Sequence, residues 1–187
     1  MQYDFLHFFS QLLGGDQQAN WFLKNVFPFE VNNEMDRGIH EPAYFIEQQK
    51  QLWPDYREAL DAFNKHYTDI FTKETDGMLP LMVDLKARGY RLLGLSNWSS
   101  KVYDVMHKFN IFDQLEGYLL SKDVHLLKPD PAIYRRFLQE FDVKSEECVF
   151  IDDKPENIDG SRSVGMHGIV FHNTAQLSHD LEPLLHD

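Results

Sequence analysis

The chain has 187 residues, of which 43% are hydrophobic and 14% aromatic, enough to bury the core of one elaborated domain or two small ones. Its formal net charge of -12 speaks against a nucleic-acid partner, which would call for a basic face. A small phosphorylated molecule stays compatible with that charge, because one metal ion and one or two cations reverse the potential locally. The single cysteine, Cys148, rules out an internal disulfide framework and reads as a small buried hydrophobe. No run approaches the ~18 apolar residues of a membrane span. Met1-Gln2-Tyr3-Asp4-Phe5 lacks the basic start of a signal peptide, so a cytoplasmic setting without a membrane partner is expected.

Residues 1 to about 73 read as helical and aromatic, with no strand. Phe5, Phe8, Phe9, Leu12 and Leu13 recur at helical spacing and stop at Gly14-Gly15. Trp21, Phe22, Val26 and Phe27 predict a second helix ending at Pro28. A third is predicted from about Glu41 to Leu52, and a fourth from about Tyr56 to Phe71. This half reads as a small helical bundle.

From Gly77 the pattern alternates. Helices are predicted over Met78–Ala87, Ser99–Phe109, Pro131–Phe141, Pro155–Val164 and about Ala175–Leu185. Strands fall at Tyr90–Leu95, Glu116–Leu120, Cys148–Asp152 and Gly168–His172. Alternating strands and helices imply an α/β unit with a parallel, Rossmann-like sheet.

Three segments carry chemistry. Leu93-Gly94-Leu95-Ser96-Asn97-Trp98 ends a strand in a hydroxyl and an amide, which can hold an anion such as phosphate or simply cap the next helix. Leu127-Lys128-Pro129-Asp130-Pro131 fixes one ammonium between two prolines, where it can neutralise a phosphate or lie on the surface. Val149-Phe150-Ile151-Asp152-Asp153-Lys154-Pro155-Glu156-Asn157 runs an apolar strand into two adjacent acids, with an amide four residues after the second. Two carboxylates at the C-terminal end of a strand repel each other unless a cation compensates them, so Asp152, Asp153 and Asn157 form a candidate metal site.

Taken together, hydroxyl, lysine and double acid, in that order, resemble the haloacid dehalogenase-like (HAD) hydrolase superfamily. The resemblance covers the chain from Gly77 onward and is best to the branch with an inserted helical cap and phosphatase-type members. Leu-Lys-Pro-Asp-Pro-Ala-Ile-Tyr (127 to 134) and Phe-Ile-Asp-Asp-Lys-Pro-Glu-Asn-Ile (150 to 158) are its most typical phrases. The resemblance implies a helical cap over residues 1–76 and a Rossmann-like core over residues 77–187. It also implies a Mg²⁺-dependent phosphatase of small phosphorylated metabolites that works through an aspartyl-phosphate. Ser96, Asn97 and Lys128 would bind the phosphoryl group, with Lys128 and Asp152 in catalytic roles and Asp153, Asp152 and Asn157 around the metal. Asp36-Arg37-Gly38 and Trp98 are candidate pocket residues.

One part of that pattern is missing. The family's first motif is an apolar strand ending in Asp-x-Asp, placed mid-sheet between the strands that end at Ser96 and Asp152. No such segment is present, since Asp4 follows only Met1-Gln2-Tyr3 and Asp16 follows Gly14-Gly15. The central first strand is therefore expected to be absent, leaving two inner edges that either close on each other or flank a gap. The favoured explanation is a truncation that removed roughly 10 to 20 upstream residues. A catalytically inactive HAD-like binding protein is the alternative. A haloacid dehalogenase would need no metal, so the double acid argues against it. A serine hydrolase would need Gly-x-Ser-x-Gly, but Trp98 holds the second glycine position. None of the nine histidines shows paired metal-ligand spacing. Because the missing aspartate would share the metal, Mg²⁺ binding by this chain is expected to be weak.

Overall fold

The computed structural model describes residues 1–185; residues 186 and 187, the expected end of the core, lie outside the described residues. In chain order the elements are β1 (Gln2–Tyr3), α1 (Phe5–Leu13), α2 (Asp16–Asn25), α3 (Phe29–Arg37), α4 (Pro42–Leu52), α5 (Arg57–Lys65), β2 (Phe71–Lys73) and α6 (Met78–Ala87). They continue as β3 (Leu93–Ser96), α7 (Val102–Met106), β4 (Gly117–Leu120), α8 (Ser121–Val124), α9 (Pro131–Glu140), β5 (Val149–Asp152), α10 (Pro155–Arg162), β6 (His167–Val170) and α11 (Thr174–Leu181). Among the described residues no helix is long and apolar enough to cross a membrane.

The helical half packs around an aromatic core. Phe9, Phe22 and Phe63 are fully buried, with Phe9 4.5 Å from Phe22 and stacked 6.0 Å from Phe63 between ring centroids. Such pairs contribute about 0.5–1.5 kcal/mol each beyond the area they bury. Two expectations need revising here. Residues Tyr56–Phe71 do not form one helix: Pro54 and the Tyr67–Ile70 turn break it into 3₁₀ turns around α5, and Phe71–Lys73 then pairs antiparallel with Gln2–Tyr3. The first residues are therefore a short strand, invisible in the sequence because two residues carry no period. Helix α3 also went unforeseen: Glu30, Asn32, Asn33, Glu34 and Asp36 dilute its apolar stripe.

Gly38 closes α3 in the left-handed conformation, with φ of 73°. A side chain there would meet the Lys122 backbone at 2.5 Å, so glycine lets α3 seat directly on α8. This contact places the helical half over the C-terminal ends of β3 and β4.

The α/β half has the expected parallel pairing, β3 with β4 and β5 with β6, but as two separate two-stranded sheets. β3 and β5 do not close on each other. Leu93 and Leu95 on one side and Val149 and Ile151 on the other line part of a cleft of about 1180 Å³ that continues under the helical half to Phe27, Asp36 and Tyr67. Two apolar clusters flank it. Leu85, Leu177 and Leu181 from α6 and α11 form one, and Ile133, Phe137 and Ile158 from α9 and α10 form the other.

Candidate active site

The C-terminal ends of β3 and β5 meet at Lys128. Its Nζ donates to the Leu95 carbonyl at 3.1 Å and to Asp152 Oδ2 at 2.6 Å. Both side chains are nearly enclosed, 9% exposed for Lys128 and 8% for Asp152. The other Asp152 oxygen accepts the Lys154 N–H and the Asn157 amide, each at 2.9 Å. Burial opposes ionisation of Asp152, yet the Lys128 ammonium and these hydrogen bonds outweigh it and hold the carboxyl below the usual aspartate range.

The lysine is positioned from behind. Asn97 accepts the Lys128 N–H at 2.8 Å and donates its own amide to the Lys128 carbonyl at 3.0 Å. Both faces of the Asn97 amide are thus spent on the loop that carries the lysine. Beneath that loop Gly160 lies so close to Pro129 that an added Cβ would sit 2.5 Å from its carbonyl oxygen. Asn157 is buried, and its carbonyl accepts the Tyr134 hydroxyl at 2.7 Å. The structure therefore brings Asn97, Lys128, Asp152 and Asn157 together in one hydrogen-bonded chain, while Ser96 ends β3 and lines the same cleft. Asp153 is exposed beside them at the mouth of the cleft. Among the described residues no cluster of three His, Cys, Asp or Glu side chains is arranged to hold a metal.

The roof of the site comes from the helical half. Asp36 is buried under it: its Oδ1 accepts the Ser99 N–H at 2.9 Å and its Oδ2 the Asn32 amide at 2.9 Å. The Asp36 carbonyl accepts the Ser121 hydroxyl. Burial raises the Asp36 carboxyl to about 7, against the pull of those two donors. Trp98 Nε1 donates to the Tyr67 hydroxyl at 2.7 Å, and the Lys154 ammonium lies 4.9 Å from the centre of the Phe29 ring. Neither Lys154 nor Tyr67 was singled out as a site residue in the sequence; each meets the helical half only through the fold.

The aspartates nearest the N-terminus are otherwise engaged. Asp4 caps α1 by accepting the His7 N–H at 2.8 Å, and Asp16 accepts the Ser10 hydroxyl at 2.7 Å.

This arrangement, an ion pair at the C-terminal ends of parallel strands under a helical roof, has relatives. The haloacid dehalogenase-like hydrolase family matches residues 22–171, and the chain belongs to it. It is 29% identical over 109 residues to a flavin mononucleotide hydrolase of Arabidopsis thaliana, covering 58% of this chain and 44% of that protein. It is 30% identical over 187 residues to a drimenol cyclase of Aspergillus calidoustus, covering 89% of this chain and 34% of that protein. The chain thus spans less than half the length of these two relatives. Among solved structures, a HAD family enzyme of Bacteroides thetaiotaomicron, crystallised with magnesium and inorganic phosphate, superposes with a TM-score of 0.75 at 17% identity. That superposition covers 97% of this chain and 93% of the other, a likeness of fold.

Proposed function

We infer that this chain works as a HAD-type phosphatase that acts on a small phosphorylated metabolite in the cytoplasm, with residues 1–76 as its cap. The observation that supports this best is the enclosed Lys128–Asp152 pair at the ends of β3 and β5, with Ser96 as the last residue of β3. Phosphoryl transfer asks mainly for positioning and charge neutralisation. Lys128 supplies a fixed positive charge, and Ser96 supplies a hydroxyl that makes no hydrogen bond within the described residues. Asp152 keeps the lysine aimed. The hydrolase name of the Arabidopsis relative agrees with this reading.

Mg²⁺ in such sites is held by one or two carboxylates plus substrate phosphate oxygens. Asp153 offers one exposed carboxylate, whereas both oxygens of Asp152 are occupied, so the residues fit part of a Mg²⁺ site. Bound there, the ion would neutralise phosphoryl charge. Weak Mg²⁺ binding by the 187-residue chain is the expected calorimetric result, and tight binding would contradict it.

The proposed reaction further requires an aspartate nucleophile carried by an apolar strand ending in Asp-x-Asp. Phosphatase activity should be measured for the 187-residue chain and for a version extended upstream with such a strand. Activity in the extended version alone is expected; activity in neither would sink the proposal. The engagement of Asp4 and Asp16 in local hydrogen bonds favours a second reading for the chain by itself, an anion-binding module without turnover.

A further inference from the structure

One cation at the roof of the site is left without an anion. Phe29, Asn33 and Lys154 line the same cleft as Ser96 and Lys128. The Lys154 N–H is fixed on Asp152 Oδ1 at 2.9 Å, and its ammonium ends 4.9 Å from the centre of the Phe29 ring on α3. The side chain therefore runs from the loop after β5 up to the roof. A ring face attracts a cation but leaves the N–H donors of the ammonium unspent. Among the described residues Lys154 has no ion pair, and its ammonium makes no hydrogen bond.

The acids around it are engaged elsewhere. Asp36 spends its two oxygens on the Ser99 N–H and the Asn32 amide, and Asp152 spends its side chain on Lys128, Asn157 and the Lys154 backbone. Phe29 and Asn33 stand one turn apart on the same face of α3. Asn33 is half-buried, and its side-chain amide makes no hydrogen bond among the described residues. An unpaired ammonium, an uncommitted amide and an exposed ring are therefore held together at a point distinct from the Lys128–Asp152 pair. In a chain of net charge -12, such a local reversal of sign selects an anion. One positive charge with neutral amide donors matches the single charge of a carboxylate better than the double charge of a second phosphoryl group.

We propose that Lys154, with Asn33 and the Phe29 ring beside it, binds a carboxylate on the leaving-group side of the substrate, which makes the substrate a phosphate monoester of a small hydroxy acid. Ser96 and Lys128 hold the phosphoryl end, and Lys154 holds the other. The proposal rests on the phosphatase reading for the phosphoryl end alone, and it is tested by binding rather than turnover.

The probes are matched pairs of esters: phosphonooxy acids with one, two or three methylene groups, and the alkyl phosphates in which a methyl group replaces the carboxylate. They are titrated calorimetrically into the 187-residue chain without added metal. In at least one pair the acid should bind about tenfold more tightly than its alkyl partner, the scale of one charge-assisted hydrogen bond. Lys154→Met should bring the members of that pair to within about twofold of each other, and Lys154→Arg should keep most of the preference. Asn33→Asp, which sets a like charge against the carboxylate, should abolish or reverse it. Equal binding within every pair, or a preference that survives Lys154→Met, would overturn the proposal and leave the phosphoryl end standing. Tighter binding of a matched alkanediol bisphosphate than of the acid would overturn it by making a second phosphoryl group the ligand. If no ester binds at all, the phosphoryl site fails first and this proposal fails with it.

Discussion

Replacing Lys128 by methionine tests the centre of the site. The substitution keeps the volume of the stem but removes the ammonium from an enclosed pair, 9% and 8% exposed with Nζ 2.6 Å from Oδ2. Breaking a buried pair from one side costs about 3–5 kcal/mol, because the remaining charge is stranded. Asp152 keeps the Lys154 N–H and the Asn157 amide on Oδ1, but Oδ2 is left bare, so about 3 kcal/mol is expected at pH 7. The sign of the pH dependence follows from the depressed Asp152 carboxyl. In the native chain the stability it confers is present above the ordinary aspartate value of 3.8 and is lost as pH falls through the lower folded value. The gap between the native chain and Lys128→Met should therefore be full at pH 7 and shrink as pH drops below 3.8. Urea unfolding at several pH values measures it. The double variant Lys128→Met with Asp152→Asn should recover most of the loss, giving a coupling of about 2 kcal/mol. A coupling under about 0.5 kcal/mol, the range of an exposed pair, would refute the claim that this pair is enclosed and organises the site.

Three further outcomes are expected. Asp36, raised to about 7, holds a proton in the folded chain that the unfolded chain releases near 3.8, so it makes stability fall as pH rises through that window, by on the order of 4 kcal/mol at its far end. Asp36→Asn should flatten that slope and raise the melting temperature at pH 8 relative to the native chain; an unchanged slope between pH 4 and 7 would count against it. Gly160→Ala should cost about 1–3 kcal/mol in urea unfolding, since the new Cβ meets the Pro129 carbonyl at 2.5 Å and Tyr134 at 2.9 Å. Tyr67→Phe should strand the Trp98 Nε1 N–H and cost about 1–3 kcal/mol, with a shift in tryptophan emission; no change in either measurement would show that the bond does not tie the two halves.

The parallel α/β pattern was legible because helix and strand periods differ and long enough stretches of each survive between Gly77 and Leu185. The positions of the candidate site residues were legible too, because Ser96, Lys128 and Asp152-Asp153 each stand at a strand end or beside a proline-pinned turn. Periodicity failed where elements were shorter than a period, as with Gln2–Tyr3 and Phe71–Lys73, or where polar residues diluted the stripe, as in α3.

The sequence by itself determined which chemistries are available and at which strand ends they lie, since those depend on residue type and local spacing. Only the tertiary structure decided how they are used. It put Asn97 behind Lys128, spent both oxygens of Asp152 on Lys128, Lys154 and Asn157, and drew Asp36 and Tyr67 over the loop after β3. It also left β3 and β5 in separate two-stranded sheets. Burial, strand alternation and hydrogen-bond partnership arise from residues far apart in the chain, and no local pattern encodes them.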